Sequence, residues 1–411
     1  MNFEYFISKR LVTKTDHKSN ISAPIIKIAI SAIAIGIIMM FIAISTGFGL
    51  QNKIREKVAA FNGHMVINNF SNNQSIITDN PISANQEFYP DFTAVPEVEH
   101  IQKVATKYGI IRTETDFEGI VVKGVEEDYR WSYLQEYLVE GKLPIFDERI
   151  SKEVLISSYL ANRLGFEVDD KLIVYFLRED QDRLPRSVAL TISGIFDSGF
   201  KEFDETYVIA DLKQIQRLNN WEENQIGQFE LFVEDFSDLQ EVGYKVYEEV
   251  DSFLNASTII ELYPSIFEWL KMFDFNIILI IGIMILVAGI NMITALLVLI
   301  LERTQMIGVL KALGATDWSV RKIFLYNAGF LIFKGLFWGN LIGISLLLIQ
   351  KYLKVIPLNP ETYYVSEAPI YLSLDYILII NIGTLLLCVL MLLVPSVIIT
   401  KISPVKAMKF E

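Results

Sequence analysis

Residues 302–324 read ERTQMIGVLKALGATDWSVRKIF. Met306, Ile307, Leu310 and Leu313 recur at helical spacing and form one apolar face of a short amphipathic helix. Gly314 stands where such a helix stops in left-handed geometry, and Thr316 suits the cap of a second helix with Asp317 in its first turn. The segment is short and charged, with Arg303 and Lys311 flanking the apolar positions. Two readings follow: a helix lying on a lipid surface, or a helix that docks in a groove of a partner and passes on its movement.

The runs on either side favour a membrane setting. Phe275 to Leu301 holds no charged residue, and Ile323 to Gln350 is interrupted only by Lys334. Ile28 to Leu50 and Tyr376 to Thr400 are also free of charge. Each exceeds the roughly 20 residues that carry a helix across about 30 Å of hydrocarbon, so four transmembrane helices are expected at 28–50, 275–301, 323–350 and 376–400. Lys334 then lies too deep to snorkel easily and is expected to face protein or an aqueous cleft. Lys9, Arg10, Lys14, Lys18 and Lys27 precede the first run; Arg303, Lys311, Arg321 and Lys322 join the second to the third; Lys401, Lys406 and Lys409 follow the last. Positive charge gathers on the cytoplasmic side. Segments 1–27, 302–322 and 401–411 are therefore cytoplasmic, with both termini inside, while 51–274 and the short loop 351–375 are exported. The first run begins far from Met1 and lacks a small-x-small cleavage site, so it reads as an uncleaved anchor.

The net charge of −13 arises in the exported domain, where Gln51 to Asp274 holds 41 acidic against 21 basic residues. Such a surface repels nucleic acid, and no basic stripe with interleaved aromatics occurs. Cys388, the sole cysteine, lies in the last apolar run, so the exported domain is expected to have no disulfide. Its flanks, about 51–140 and 225–265, read as one small α/β module. Within them His64 to Asn69, Gly109 to Thr113, Gly119 to Val125, Phe229 to Val233 and Ser257 to Leu262 read as strands. Val98 to Lys107 reads as helical, as does a face of Leu239, Val242, Val246, Val250 and Phe253. The middle, about 141–224, reads as an inserted β-rich part. There Glu153 to Phe166 is a strand running into a helix, and Lys171 to Leu177 and Val188 to Phe196 flank a polar run. That run carries Arg178, Arg183, Leu184, Pro185 and Arg186, a basic tip on an acidic body, either an ordinary solvated loop or a handle for a partner.

Chemistry is scarce. No G-x-x-x-x-G-K-[ST] loop is present, since Gly141-Lys142 is followed by Leu143. His17, His64 and His100 are scattered without metal-ligand spacing, and no nucleophile elbow appears. No catalytic residue, metal or bound cofactor is expected, and the chain is read as a non-enzyme.

Residues 302–324 nevertheless resemble the segment I-G-x-L-K/R-A-L-G-A of a large family of ABC permeases. That family includes macrolide exporters of the MacB type, the FtsX-like cell-division permease and the lipoprotein-releasing (Lol) permeases. The nearest likeness is to the LolC/LolE group. It is carried also by Ile30 to Gly49 ending in STGFG before Gly63-His64, by PLNPETYYVSEAPIYLSL at Pro357 to Leu374, and by SPVKAMKFE at Ser403 to Glu411. The resemblance implies an α-helical membrane protein with four transmembrane helices plus a periplasmic α/β and β-rich domain, the MacB-like type VII ABC permease. It implies residence in the bacterial inner membrane, a separate ATPase subunit that holds ATP and Mg, and a second permease, identical or homologous. Lipoprotein would be the substrate and a soluble periplasmic protein the carrier. In this reading Arg303, Met306, Ile307, Leu310, Lys311, Leu313 and Gly314 couple to the ATPase, and the 178–186 tip meets the carrier. Met39, Met40, Phe41, Ile44 and Phe48, with Phe273, Phe275 and Ile278, offer adaptable apolar side chains for acyl chains; each suits a lipid-facing or core position equally well. A mechanotransmitting FtsX-like role and a MacB-like efflux role remain open alternatives.

Overall fold

The structure is a computed structural model that describes residues 3–13, 22–72, 75, 77–147, 149–177 and 185–402. Two compact units emerge. A helical unit comprises Met1–Gln51, Leu270–Pro357 and Glu367–Glu411; a sheet unit comprises Asn52–Trp269 and Leu358–Ser366.

The helical unit draws on α1 (Phe3–Thr13), α2 (Ser22–Asn62), α3 (Pro264–Glu302), α4 (Thr304–Ala312), α5 (Asp317–Leu353) and α6 (Leu374–Ser396). Among the described residues four helices are long and apolar enough to cross a membrane: α2 from Pro24, α3, α5, and α6 with its continuation to Lys401. All outrun their uncharged cores at one end or both, because nothing in the flanking sequence breaks a helix until Gly63, Arg303, Lys354 or Ile402.

Packing between these helices relies on missing side chains. Gly335, Gly339 and Gly343 recur every four residues on α5 and face α2, where an added Cβ would come within 2.7 Å of Ile33 Cβ, 2.8 Å of Ile37 Cβ and 2.9 Å of Phe41 Cδ2. Only glycine admits so close an approach, the usual route to helix association where lipid removes the hydrophobic driving force. Across the α5–α6 contact, the Asn340 amide donates to Asn381 Oδ1 at 2.6 Å, and Asn381 returns a bond at 2.9 Å. Helix α1 lies on α5 through Tyr5, whose ring sits 6.1 Å from Tyr326 and 5.9 Å from Phe330, and Ser319 Oγ donates to Glu4 Oε1 at 3.0 Å. Lys334 is exposed within this chain, next to the glycine seam.

The sheet unit is built on ten strands: β1 (Met65–Asn69), β2 (Val98–Arg112), β3 (Phe117–Val125), β4 (Leu138–Gly141), β5 (Glu153–Ser157), β6 (Lys171–Phe176), β7 (Arg186–Phe196), β8 (Tyr207–Asp211), β9 (Gln228–Val233) and β10 (Leu254–Thr258). They form one sheet in the order β10-β1-β9-β2-β3-β8-β5-β7-β4, and β6 pairs with both β2 and β7. The flanks and the middle of the domain thus share a continuous sheet, joined by the parallel pairing of β3 with β8.

Three expectations need correction. Val98 to Lys107 is strand, because Ile101, Val104 and Ala105 mimic helical spacing while β2 is buried on both faces between β9 and β3. Strand β10 stops at Thr258, whose side chain and that of Glu261 form a capping box that turns Ile259–Leu262 into helix. The amphipathic helix Leu239–Glu249 buries Leu239, Val242 and Val246, but Val250 ends it in an extended conformation and Phe253 is exposed beyond it.

One ion pair stands at the junction of α2 with the sheet. Helix α2 ends on Gly63, which has φ +67° and whose N–H bonds Ala59 O at 2.7 Å. The last turn leaves its carbonyls short of partners. Lys123 of β3 donates to one of them, Phe61 O, and pairs with Glu230 of β9 at 2.5 Å; both side chains are 1% exposed. Gln102 of β2 donates to the other Glu230 oxygen at 2.8 Å, and its own carbonyl accepts from Arg130 N at 2.8 Å. Burial pulls the Lys123 ammonium below the ordinary lysine range while Glu230 opposes the shift.

Removing one member of a buried pair strands the other charge. Lys123→Met or Glu230→Gln alone is predicted to lower stability by about 3–5 kcal/mol, and the double variant Lys123→Met/Glu230→Leu to recover most of the loss. Thermal unfolding of the detergent-purified chain measures this, and single variants as stable as the parent would contradict it.

Candidate functional site

The turn between α3 and α5 has the predicted outline. Leu313 follows α4, Gly314 has φ +93° and donates its N–H to Lys311 O at 3.0 Å, and Thr316 Oγ1 accepts from Ser319 N at 3.3 Å to cap α5. The side chains are distributed differently from the expectation. Ile307 is wholly buried in the core of its own helical unit with Val320 and Phe324, and Met306 and Leu310 are half-buried against that core. Lys311 is inward too: its ammonium bonds Ile399 O at 2.7 Å and Ile402 O at 3.0 Å and pairs with Asp317 at 2.8 Å. The carbonyls of Ile399 and Ile402, with that of Thr400 at 3.5 Å, tie the segment 399–402 to this turn.

What remains open is the opposite side. Leu313 is 80% exposed, and Val309, Trp318 and Gly314 are exposed as well. The guanidinium of Arg321 stands 5.3 Å from the Trp318 ring and bonds Ser396 Oγ at 2.9 Å and Leu393 O at 3.2 Å, while Lys322 stands 5.8 Å from the same ring. Val309 and Trp318 are the residues that helical periodicity missed. The signal available was the pairing of an indole with two adjacent basic residues just after a helix cap. Arg303 sits at the α4 N-cap position with no side-chain cap bond.

The residues expected to meet acyl chains fall into two groups. Met40, Phe41 and Ile44 are buried in the helical core, with Phe41 closing on Gly343. Phe48 is half-buried and stacks on Tyr376 at 4.9 Å. These four serve the bundle itself. Met39, Phe275 and Ile278 are exposed, and Phe273 is half-buried.

Of the basic tip, Arg178, Arg183 and Leu184 lie outside the described residues, and Pro185 is exposed. Arg186 is not a free handle. Its fork donates to Leu218 O at 2.6 Å, Arg217 O at 3.3 Å and Asn220 Oδ1 at 3.1 Å, closing the C-terminus of the helix Leu212–Asn219. Cationic side chains belong at such ends. Among the described residues no group of three or more His, Cys, Asp or Glu is placed to hold a metal ion.

Residues 28–244 match the family described as MacB-like periplasmic core domain, and residues 278–404 match the FtsX-like permease C-terminal family. The chain is 24% identical over 412 residues to the lipoprotein-releasing system transmembrane protein LolC of Buchnera aphidicola subsp. Schizaphis graminum, covering 95% of each chain. It is 20% identical to the corresponding LolE protein of Haemophilus influenzae, covering 99% of each. Among solved structures, the periplasmic region of MacB from Actinobacillus actinomycetemcomitans is similar at 12% identity with a TM-score of 0.32, covering 49% of this chain and 91% of that one.

The two faces of α4 make opposite demands on substitution. Ile307→Asp places a charge in the helical core and is expected to lower the melting temperature and the monodisperse yield sharply, whereas Leu313→Asp leaves both unchanged. Size-exclusion profiles and melting curves in detergent separate the two, and a stable, monodisperse Ile307→Asp protein would contradict the assignment.

Proposed function

We propose a function from one premise: this chain belongs to the MacB-like and FtsX-like superfamily of ABC permeases, in its LolC/LolE branch. It is a membrane transport subunit without catalysis of its own. In the proposed complex it stands beside a second permease over separate ATPase subunits, which bind ATP and Mg. The complex draws lipoproteins out of the bacterial inner membrane and hands them to a soluble periplasmic carrier. The observation that carries this reading is the collinear match to LolC and LolE proteins along nearly the whole chain.

The physical task fits the parts. An acyl chain gains about 0.8 kcal/mol per CH₂ buried in lipid, so a protein with several chains leaves only against a large opposing free energy. The work enters from the cytoplasmic side in this reading, and the Lys and Arg near the span ends support a cytoplasmic α4 and cytoplasmic termini. Four spans cross the membrane in this reading, one each from α2, α3, α5 and α6. The docking face for the ATPase is the exposed side of the turn, Val309, Leu313 and Trp318, while Ile307 and Lys311 carry the motion inward because both are anchored in the bundle. Phe275 and Ile278 supply apolar surface for acyl chains near the outer end of their span, and Met39 does so midway along its own. The basic tip at 178–185, carried on the strand that Arg186 opens, is the proposed contact for the carrier.

Reconstitution with the ATPase, partner permease, a triacylated lipoprotein and the carrier tests this. ATP-dependent transfer of lipoprotein from liposome to carrier is expected, with Leu313→Asp at least tenfold slower and normally folded. ATP turnover with no lipoprotein leaving the membrane would point instead to mechanotransmission.

A further inference from the structure

The segment Leu358–Ser366 joins α5 to α6 in sequence, yet its contacts place it in the sheet unit. Its attachment is unusual. Lys57 of α2 is buried, and its ammonium bonds Tyr364 O at 2.9 Å and also Ser198 O. It lies 5.5 Å from the Tyr137 ring, and among the described residues it has no carboxylate within ion-pair distance. A buried ammonium without hydrogen-bond acceptors is costly. One of the two acceptors here is 307 positions away in the chain.

Tyr364 itself holds φ +60°, a left-handed conformation that costs a non-glycine residue on the order of 1 kcal/mol and persists only where its surroundings impose it. Those surroundings are identifiable. The Tyr364 ring stacks on Phe200 at 4.5 Å and 20° and meets Trp269 edge-on at 5.8 Å. The receiving turn is shaped by Asp204, whose carboxylate accepts from Ser198 Oγ at 2.6 Å and Ser198 N at 3.2 Å, and by Gly199 at φ +63°. Burial pushes the Asp204 carboxyl up to about 6.

We propose that Leu358–Ser366 is a strap which the sheet unit grips through Lys57, Phe200 and Trp269, and which must let go in each working cycle. Three features combine in this assignment: a strained residue, a buried cation half-satisfied by the strap, and ring contacts that, among the described residues, dissociate without breaking any ion pair. When the strap leaves, the ammonium loses an acceptor and takes up water, while the strain at Tyr364 is relieved. Hydration of the ammonium and relief of the strain oppose the loss of the acceptor and of the Phe200 and Trp269 ring contacts, and the proposal requires the closed and open arrangements to lie near in free energy, as a switch does. The strap continues by sequence into α5 and α6, so its release reports on those helices. The working cycle meant here is the one proposed above, and the strap rests on that reading.

A disulfide tests it. A Cβ built on Gly199 lies 3.8 Å from Pro360 Cβ, within the range of about 3.5–4.5 Å that a disulfide spans. The only native cysteine, Cys388, is buried in α6. Oxidised Gly199→Cys/Pro360→Cys is expected to release lipoprotein at least tenfold more slowly than the same protein after reduction. Release at an equal rate with the crosslink complete would overturn the proposal. Lys57→Met gives a second measurement free of transport: hydrogen exchange at the amides of 358–366 in the full-length protein should speed up at least fivefold, and unchanged exchange would overturn the grip. If the unmodified complex releases no lipoprotein, the proposed function fails, and the exchange measurement alone decides the strap.

Discussion

Lys123 is taken out of water at the place where α2 ends and the sheet begins. Its ammonium meets the Phe61 carbonyl on one side and Glu230 on the other. Glu230 in turn holds Gln102, so β2, β3 and β9 are tied to one another and to the helix end. A salt bridge in a dry interior contributes little net stability over an apolar replacement, but it has a definite geometry. That geometry fixes the register of three strands against the last turn of α2. A shift of one residue would put the charges on opposite faces of the sheet. The closeness of Gly63 to the Glu230 side chain, where an added Cβ would lie 3.0 Å away, belongs to the same constraint.

The helical unit solves a related problem by other means. Charges are absent from most of its interior, and association rests on close contact at Gly335, Gly339 and Gly343 and on the reciprocal amide bonds of Asn340 and Asn381. At the α4 turn the arrangement changes. Ile307 and Lys311 root the turn in the bundle, while Leu313 and Trp318 remain available to a partner. In the proposed function a force applied to the exposed side would pass inward through a buried side chain and an ammonium bonded to Ile399 and Ile402.

Much of this was legible in the sequence, for reasons that differ by element. Uncharged runs of sufficient length announce membrane helices directly, and the caps at Gly314 and Thr316 set the turn. Periodicity alone does not distinguish a face buried in its own protein from one offered to another, which is why Ile307 and Lys311 read as docking residues. Met40 and Phe41 pose the same difficulty, since an apolar residue in an apolar run carries no mark of its direction. Val98 to Lys107 looked helical because a strand buried on both faces has no alternation to display. Lys123 in GIVVKGV gave no sign of burial; its partner lies 107 positions away. The grip of Lys57 on Tyr364 is hidden for the same reason, although the stretch around Tyr364 had already stood out as a likeness to lipoprotein-releasing permeases.

The function proposed for this permease is to turn cytoplasmic work into release of a lipid-anchored protein, and the distribution of lipoproteins in living cells is the most direct measure of that. Depleting this chain and separating inner from outer membranes on a density gradient should find outer-membrane lipoproteins retained in the inner membrane, with restoration by the wild-type chain. Lipoproteins that reach their usual membrane in its absence, with cells failing instead in division or wall turnover, would contradict the account.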